Sequence, residues 1–232
     1  MSSQGLEKIN RLWAEQMVND KYGAFLTYSP FSEKYWTEKY KIVLCNLESY
    51  SHEDTFETKE IRLDIDRFKN WLSYKMLPTP RKSALILYAL HKILDSGQCS
   101  NKNELSNILK DDELLIEPLL RSTYMNLRKE IGEDTKEDRL KIHKFLNPNY
   151  KKNEHNITKL KEFIKELNPT LFVITGETGA DIISRIYKDS MSLYYKSIAK
   201  SDGVFFASIS HPSVISYEEI INLANEIKTK ID

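Results

Sequence analysis

The chain has 232 residues, with 34 Lys plus Arg against 34 Asp plus Glu and only two cysteines. That length suits a single domain over 1–232 with a substantial core, and the balanced charge withholds the general basic signature of a nucleic-acid binder without excluding a local basic face. Cys45 and Cys99 are too few for a disulfide framework or a cysteine-only zinc or iron–sulfur site, and no apolar run approaches the ~20 residues of a membrane span or forms the core of an export signal. The expectation is a cytoplasmic protein with no membrane partner.

In chain order, Leu6, Ile9, Trp13 and Met17 stand at helical spacing, and the aromatic stretch from Tyr22 to Tyr40, broken by Gly23 and Pro30, reads as a loop. Lys41 to Asn46 is a short apolar, β-branched run of the kind a buried parallel strand shows. A polar loop, Ser51 to Lys59, follows. Leu63 to Tyr74 and Arg81 to Leu94 read as helices parted by Leu77-Pro78-Thr79-Pro80; the second is apolar nearly all round and is expected at the centre of the fold. Asn101 to Lys110 is a short helix, Asp111-Asp112-Glu113 reads as a solvated helix start, and Ser122 to Asn126 is a second strand.

Two more helices are expected at Lys136 to Leu146 and Ile157 to Leu167. Leu171 to Thr175 is the clearest strand, and Gly176-Glu177-Thr178-Gly179 turns it into a helix carrying Ile182, Ile183 and Ile186. That turn looks like a phosphate cradle but lacks the Gly-Lys-Ser or Gly-Lys-Thr ending, so it reads as a tight turn. Val204 to Ile209 is the fourth strand. The last helix opens with Ser216 three residues before Glu219, the spacing of a capping box, and shows Ile220, Leu223, Ala224, Ile227 and Ile231 on one face. The expected fold class is α/β, a central, mostly parallel four-stranded sheet flanked by helices on both faces.

Three of the four strands end in side chains that can hydrogen-bond a ligand: Asn46, Asn126 and, just past the last strand, His211. On a parallel sheet these ends converge on one crevice. Each asparagine equally suits a turn, and Pro212-Ser213 equally suits a strand-to-helix exit. His52, His91, His143 and His155 show no ligand spacing with cysteines or carboxylates, so no metal is expected. Pro80-Arg81-Lys82 and Lys151-Lys152 read as solvated surface.

The order of motifs resembles the uracil-DNA glycosylase superfamily. The resemblance rests on Val43-Leu44-Cys45-Asn46, Tyr124-Met125-Asn126-Leu127, Phe172 to Gly176, and His211-Pro212-Ser213 followed by Val214-Ile215-Ser216. It implies that Asn46 handles the water nucleophile, Asn126 reads the base, and His211 and Ser213 belong to the base-binding turn. Where the family has Pro after the Asn and Gly near it, this chain has Leu47 and Cys45. Two cysteines exclude the iron–sulfur branches, and Asn in place of Asp is similar to the mismatch-specific and single-strand-selective branches. Breaking an N-glycosidic bond puts negative charge on the departing base, which a neutral imidazole donating from His211 stabilises. The target base must leave the stack, so Tyr50 or Phe56 is expected to stack on it and Ile215 to wedge into the gap. The expected partner is DNA, single-stranded or mismatched, with no cofactor. The alternative is a nucleotide- or macromolecule-binding protein of this fold without cleavage activity.

Overall fold

Residues rich in β-branched and apolar side chains pair here into a sheet whose central strands are buried on both faces. The computed structural model describes residues 25–27, 30, 32–46, 49–50, 60–62, 65–73, 78–127, 131–132 and 154–231, together with Glu7 and Arg11. The elements run β1 (Phe25–Thr27), α1 (Lys34–Thr37), β2 (Ile42–Asn46), β3 (Ser49–Tyr50), β4 (Glu60–Arg62), α2 (Ile65–Ser73), α3 (Pro78–Ser96), α4 (Lys102–Ile108), α5 (Asp112–Leu120), β5 (Ser122–Asn126) and β6 (Ile131–Gly132). They continue with α6 (Glu154–Leu167), β7 (Leu171–Thr175), α7 (Glu177–Ile186), β8 (Ile198–Ser201), β9 (Val204–Ile209) and α8 (Tyr217–Ile231). The expected helix at Lys136 to Leu146 lies outside the described residues, as does nearly all of the first.

The central sheet has the order β5-β2-β7-β9-β8. Its first four strands are parallel and are the four predicted from sequence; β8 is antiparallel to β9. The sheet is therefore five-stranded and mixed rather than four-stranded. The extra strand is joined to β9 by Asp202-Gly203, both with positive φ (50° and 81°), the backbone of a two-residue hairpin turn. Two short parallel pairs, β1 with β4 and β3 with β6, stand apart from this sheet.

All five residues of β2 and of β7 are buried, which requires cover on both sides. Side chains alternate along β9, so Phe206 and Ile209 point to opposite faces. Phe206 meets the ring of Tyr187 at the end of α7 with centroids 4.9 Å apart, while Ile209 lines a cleft with Leu223 of α8. α7 and α8 thus cover opposite faces, and α3 packs against both α8 and β2.

α3 is the central helix expected, with Ala84, Leu85, Ile86, Leu87 and Leu90 all inaccessible to solvent. It begins at Pro78, earlier than predicted, because prolines are tolerated in a first turn whose N–H groups have no intrahelical partner anyway. Asp111 caps α5 through its side chain, accepting from the N–H groups of Glu113 and Leu114. Arg81 departs from its expected surface position. It is 6% exposed, donating to the carbonyls of Leu72 (2.7 Å) and Leu109 (3.1 Å) and to Asp112.

Candidate active site at the carboxyl edge of the sheet

The register fixes where the strand ends fall. Asn126 lies opposite Asn46, Cys45 opposite Ile174, and Thr175 opposite Ile209, so four strands finish level at one edge. Strands stand about 4.8 Å apart, which puts the β9 end roughly 10 Å from the β2 end across the sheet. His211 follows Ile209 by two residues. Sequence and register together bring Asn46, Asn126 and His211 to the same edge.

Asn46 closes the end of β2 at this edge. It is 2% exposed; its Nδ2 donates to the Tyr124 hydroxyl, and its Oδ1 accepts from Thr175 Oγ1 at 2.6 Å. Burial raises the pKa of the Tyr124 phenol, which keeps that hydroxyl protonated. The Asn46 carbonyl also accepts from Leu127 N–H at 2.8 Å. An amide held at both ends has one defined orientation, and beyond these two bonds its capacity is one further Nδ2–H and the second lone pair of Oδ1.

Gly176 makes the bend from β7 into α7 with φ 80°, a left-handed value that glycine adopts without strain. Its N–H donates to the Ile209 carbonyl at 2.7 Å, tying the ends of β7 and β9 together.

His211 is partly exposed. Its Nδ1 accepts the Ser213 amide hydrogen at 3.2 Å and lies 2.7 Å from Ser213 Oγ. A nitrogen that accepts from an amide carries no proton, so the neutral ring holds its hydrogen on Nε2. Val214 and Ile215 both donate backbone N–H groups to the His211 carbonyl, at 2.9 and 3.0 Å, closing the turn. Ser213 therefore orients the imidazole. Ile215 is 2% exposed and belongs to the core, whereas Val214 beside it is 74% exposed. A wedge at Ile215 does not fit this burial; the apolar side chain that the turn offers to solvent is Val214.

Behind the turn, Ser210 N–H donates to Glu219 Oε1 at 2.6 Å, and Ser210 Oγ lies 2.8 Å from the Tyr195 hydroxyl. Glu219 Oε2 pairs with Lys196 Nζ at 3.1 Å, a bond that raises the lysine's pKa. Lys82 Nζ donates to the Ile215 carbonyl at 2.9 Å. The Ser216 hydroxyl accepts Glu219 N–H at 3.1 Å, as a capping box requires, while the Glu219 carboxylate serves Ser210 and Lys196. Tyr195 and Glu219 were not singled out as site residues from sequence. No spacing marks Tyr195, and the capping-box spacing that marks Glu219 says nothing of its carboxylate's bond to Ser210 across the sheet edge.

A cleft of about 350 Å³ lies on the α8 side of this turn, lined by Lys196, Ile198, Ile209, Glu219, Asn222 and Glu226 among others. Its carboxylates outnumber its one lysine, so it is a poor seat for a phosphate. The register-aligned strand ends are the better candidate for chemistry.

Tyr50 lies on β3 with its backbone opposite Gly132. The side chains of Tyr50 and Asn126, and the whole of Leu47, Glu48, Phe56 and Lys151-Lys152, lie outside the described residues. Elsewhere among the described residues, Glu38, His91 and Asp95 bring possible ligand atoms within 4.8 Å of one another. The Arg121 guanidinium binds both carboxylates there, Glu38 at 2.6 and 2.8 Å and Asp95 at 2.8 Å. Arginine already supplies the positive charge, holding Glu38 below the usual carboxylate range, so this cluster reads as an ion network rather than a metal centre.

Fold and site together define an α/β protein whose four parallel strands end level at one edge, with Asn46 and Asn126 at strand ends there and His211 just past a third. No family model matches the chain, and no curated protein matches it.

Proposed function

We propose that this edge of the sheet binds a nucleobase and that the protein is a DNA glycosylase-like hydrolase acting on a deaminated or damaged base. The observation that carries the reading is the convergence of Asn46, Asn126 and His211 on one edge, with the imidazole hydrogen set on Nε2 by the Ser213 amide. An Nε2–H aimed at a base carbonyl stabilises the negative charge that builds as the C1′–N bond breaks. Water then adds its oxygen to C1′, and its proton leaves with the base. Asn46 orients that water through the remaining lone pair of Oδ1 but is too weak a base to take its proton, so the leaving base does most of the work. Asn126 pairs with the base edge, offering a donor and an acceptor together. Tyr50 or Phe56 stacks on the flipped base. Single-stranded or mismatched DNA suits a site with so little driving force for flipping.

A second reading is favoured by one observation. Asn46 is 2% exposed with both ends of its amide engaged, which suits a binding protein of this fold that does not cleave. Incubation with oligonucleotides carrying uracil, hypoxanthine or other altered bases, scored for abasic sites, separates the two. Cleavage is expected, slowed about 100-fold or more by His211→Ala, the range for losing one such donor. Binding without abasic sites on every altered base would leave only the second reading.

A further inference from the structure

We propose that the cleft between α8 and the β8–β9 hairpin is a binding site for a linear aliphatic polyamine. It lies behind the His211 turn and is independent of the nucleobase reading of the strand ends. Its floor is apolar, made by Ile198 of β8, Ile209 of β9 and Leu223 of α8, the last two only 2% and 7% exposed. Its volume of about 350 Å³ falls in the range of small-molecule sites.

Charge on the rim selects a cation. Glu218, Glu219 and Glu226 line the cleft against one lysine, Lys196, whose ammonium Glu219 already neutralises at 3.1 Å. The other oxygen of Glu219 holds Ser210 N–H, so that carboxylate is fully engaged. Glu218 and Glu226 are exposed and form no ion pair with a described residue. Carboxylates on a helix ordinarily make a solvated face. These two instead flank a concave apolar strip, which water covers poorly and an aliphatic chain covers well.

Spacing selects the shape of that cation. Glu218, Asn222 and Glu226 follow one another at four-residue intervals along α8 and share one face. At 1.5 Å of rise per residue, the two glutamates stand about 12 Å apart along the helix axis. A single metal ion holds its oxygen ligands at roughly 2–2.6 Å and cannot be shared across that gap. A triamine chain of about nine bonds extends to about 11 Å, from bond lengths near 1.5 Å and tetrahedral angles. Its terminal ammonium groups reach Glu218 and Glu226, its inner one meets the Asn222 side-chain oxygen, and its methylenes cover Ile209 and Leu223. A lysine side chain of a protein partner brings one charge and leaves the second glutamate unmatched.

The test is calorimetric titration of the full chain with spermidine at low salt, where saturable one-to-one binding is expected. Glu218→Gln with Glu226→Gln should weaken it about 10-fold, the combined effect of two exposed ion pairs. Putrescine, a diamine too short to reach both glutamates, should bind the parent no better than spermidine binds the glutamine variant. Asn222→Lys, which sets an ammonium midway along the track, should abolish binding. All three positions are exposed, so the variants are expected to melt as the parent does. The proposal is overturned if spermidine shows no saturable binding, if the glutamine variant binds it as tightly as the parent, or if putrescine matches it. It is also overturned if an oligolysine peptide binds more tightly with the same dependence on Glu218 and Glu226, which would make the cleft a protein-docking site. None of these measurements involves base cleavage, so this proposal and the hydrolase reading stand or fall separately.

Discussion

The amide of Asn46 is held between two hydroxyls at the end of a fully buried strand, so the residue proposed to face the substrate is also part of the core. Asn46→Ala removes the acceptor of Thr175 Oγ1 and the donor to Tyr124 and leaves a small void. The expected cost is about 2–4 kcal/mol, since buried polar groups lose their partners as well as their packing. Urea denaturation measures it; a cost within about 0.5 kcal/mol, typical of surface substitutions, would mean that water replaces the amide without penalty. Asn46 and His211 were legible as strand-end polar residues, because apolar runs end visibly in sequence. The engagement of Asn46 by Tyr124 and Thr175 was not, because those partners lie 78 and 129 residues away.

Among the elements, Arg81 joins three helices that share little sequence signal. From the first turn of α3 it reaches the carbonyl of Leu72 on α2, that of Leu109 at the end of α4, and Asp112 at the start of α5. Arg81→Met should cost about 3 kcal/mol in denaturant unfolding, the order of cost for breaking a buried charge network by removing one partner. Arg81→Lys should recover little, because an ammonium cannot reproduce the planar fork. Arg81 beside Lys82 in sequence reads as a solvated basic pair, and only the packing of α2, α4 and α5 around it makes it structural. The fifth strand failed to register for a different reason. Ile198-Ala199-Lys200-Ser201 has weak alternation and lies at a sheet edge, although the Asp202-Gly203 that follows is a strong hairpin signal.

For the molecule as a whole, acid sensitivity is expected to begin well above the carboxylate range. His91 is 3% exposed, and burial, aided by the Arg121 charge, lowers its pKa from 6.5 to about 4. The unfolded chain therefore binds a proton between those values that the folded one refuses, and stability falls as pH drops from 6.5 to 4. The loss attributable to His91 is roughly 3 kcal/mol, at 1.4 per unit. The Glu38 carboxylate, with its pKa lowered from 4.5, begins to lose its contribution only as pH falls through 4.5, at the acid end of this window. His91→Gln should flatten the slope of unfolding free energy between pH 6.5 and 4; an unchanged slope would place the titration elsewhere.

Periodicity and turn chemistry alone determined the α/β class, the four parallel strands, the central burial of α3 and the residues at the strand ends. These are local properties, carried by the spacing of apolar side chains and by glycine and proline between them. Tertiary structure decided the order β5-β2-β7-β9-β8, and with it which strand ends are neighbours. It also decided that Ile215 faces the core while Val214 faces solvent, and that Tyr195 and Glu219 brace the His211 turn. A strand's own residues specify that it will be buried, but they do not name the strand beside it; register and sheet order arise only when distant segments pack.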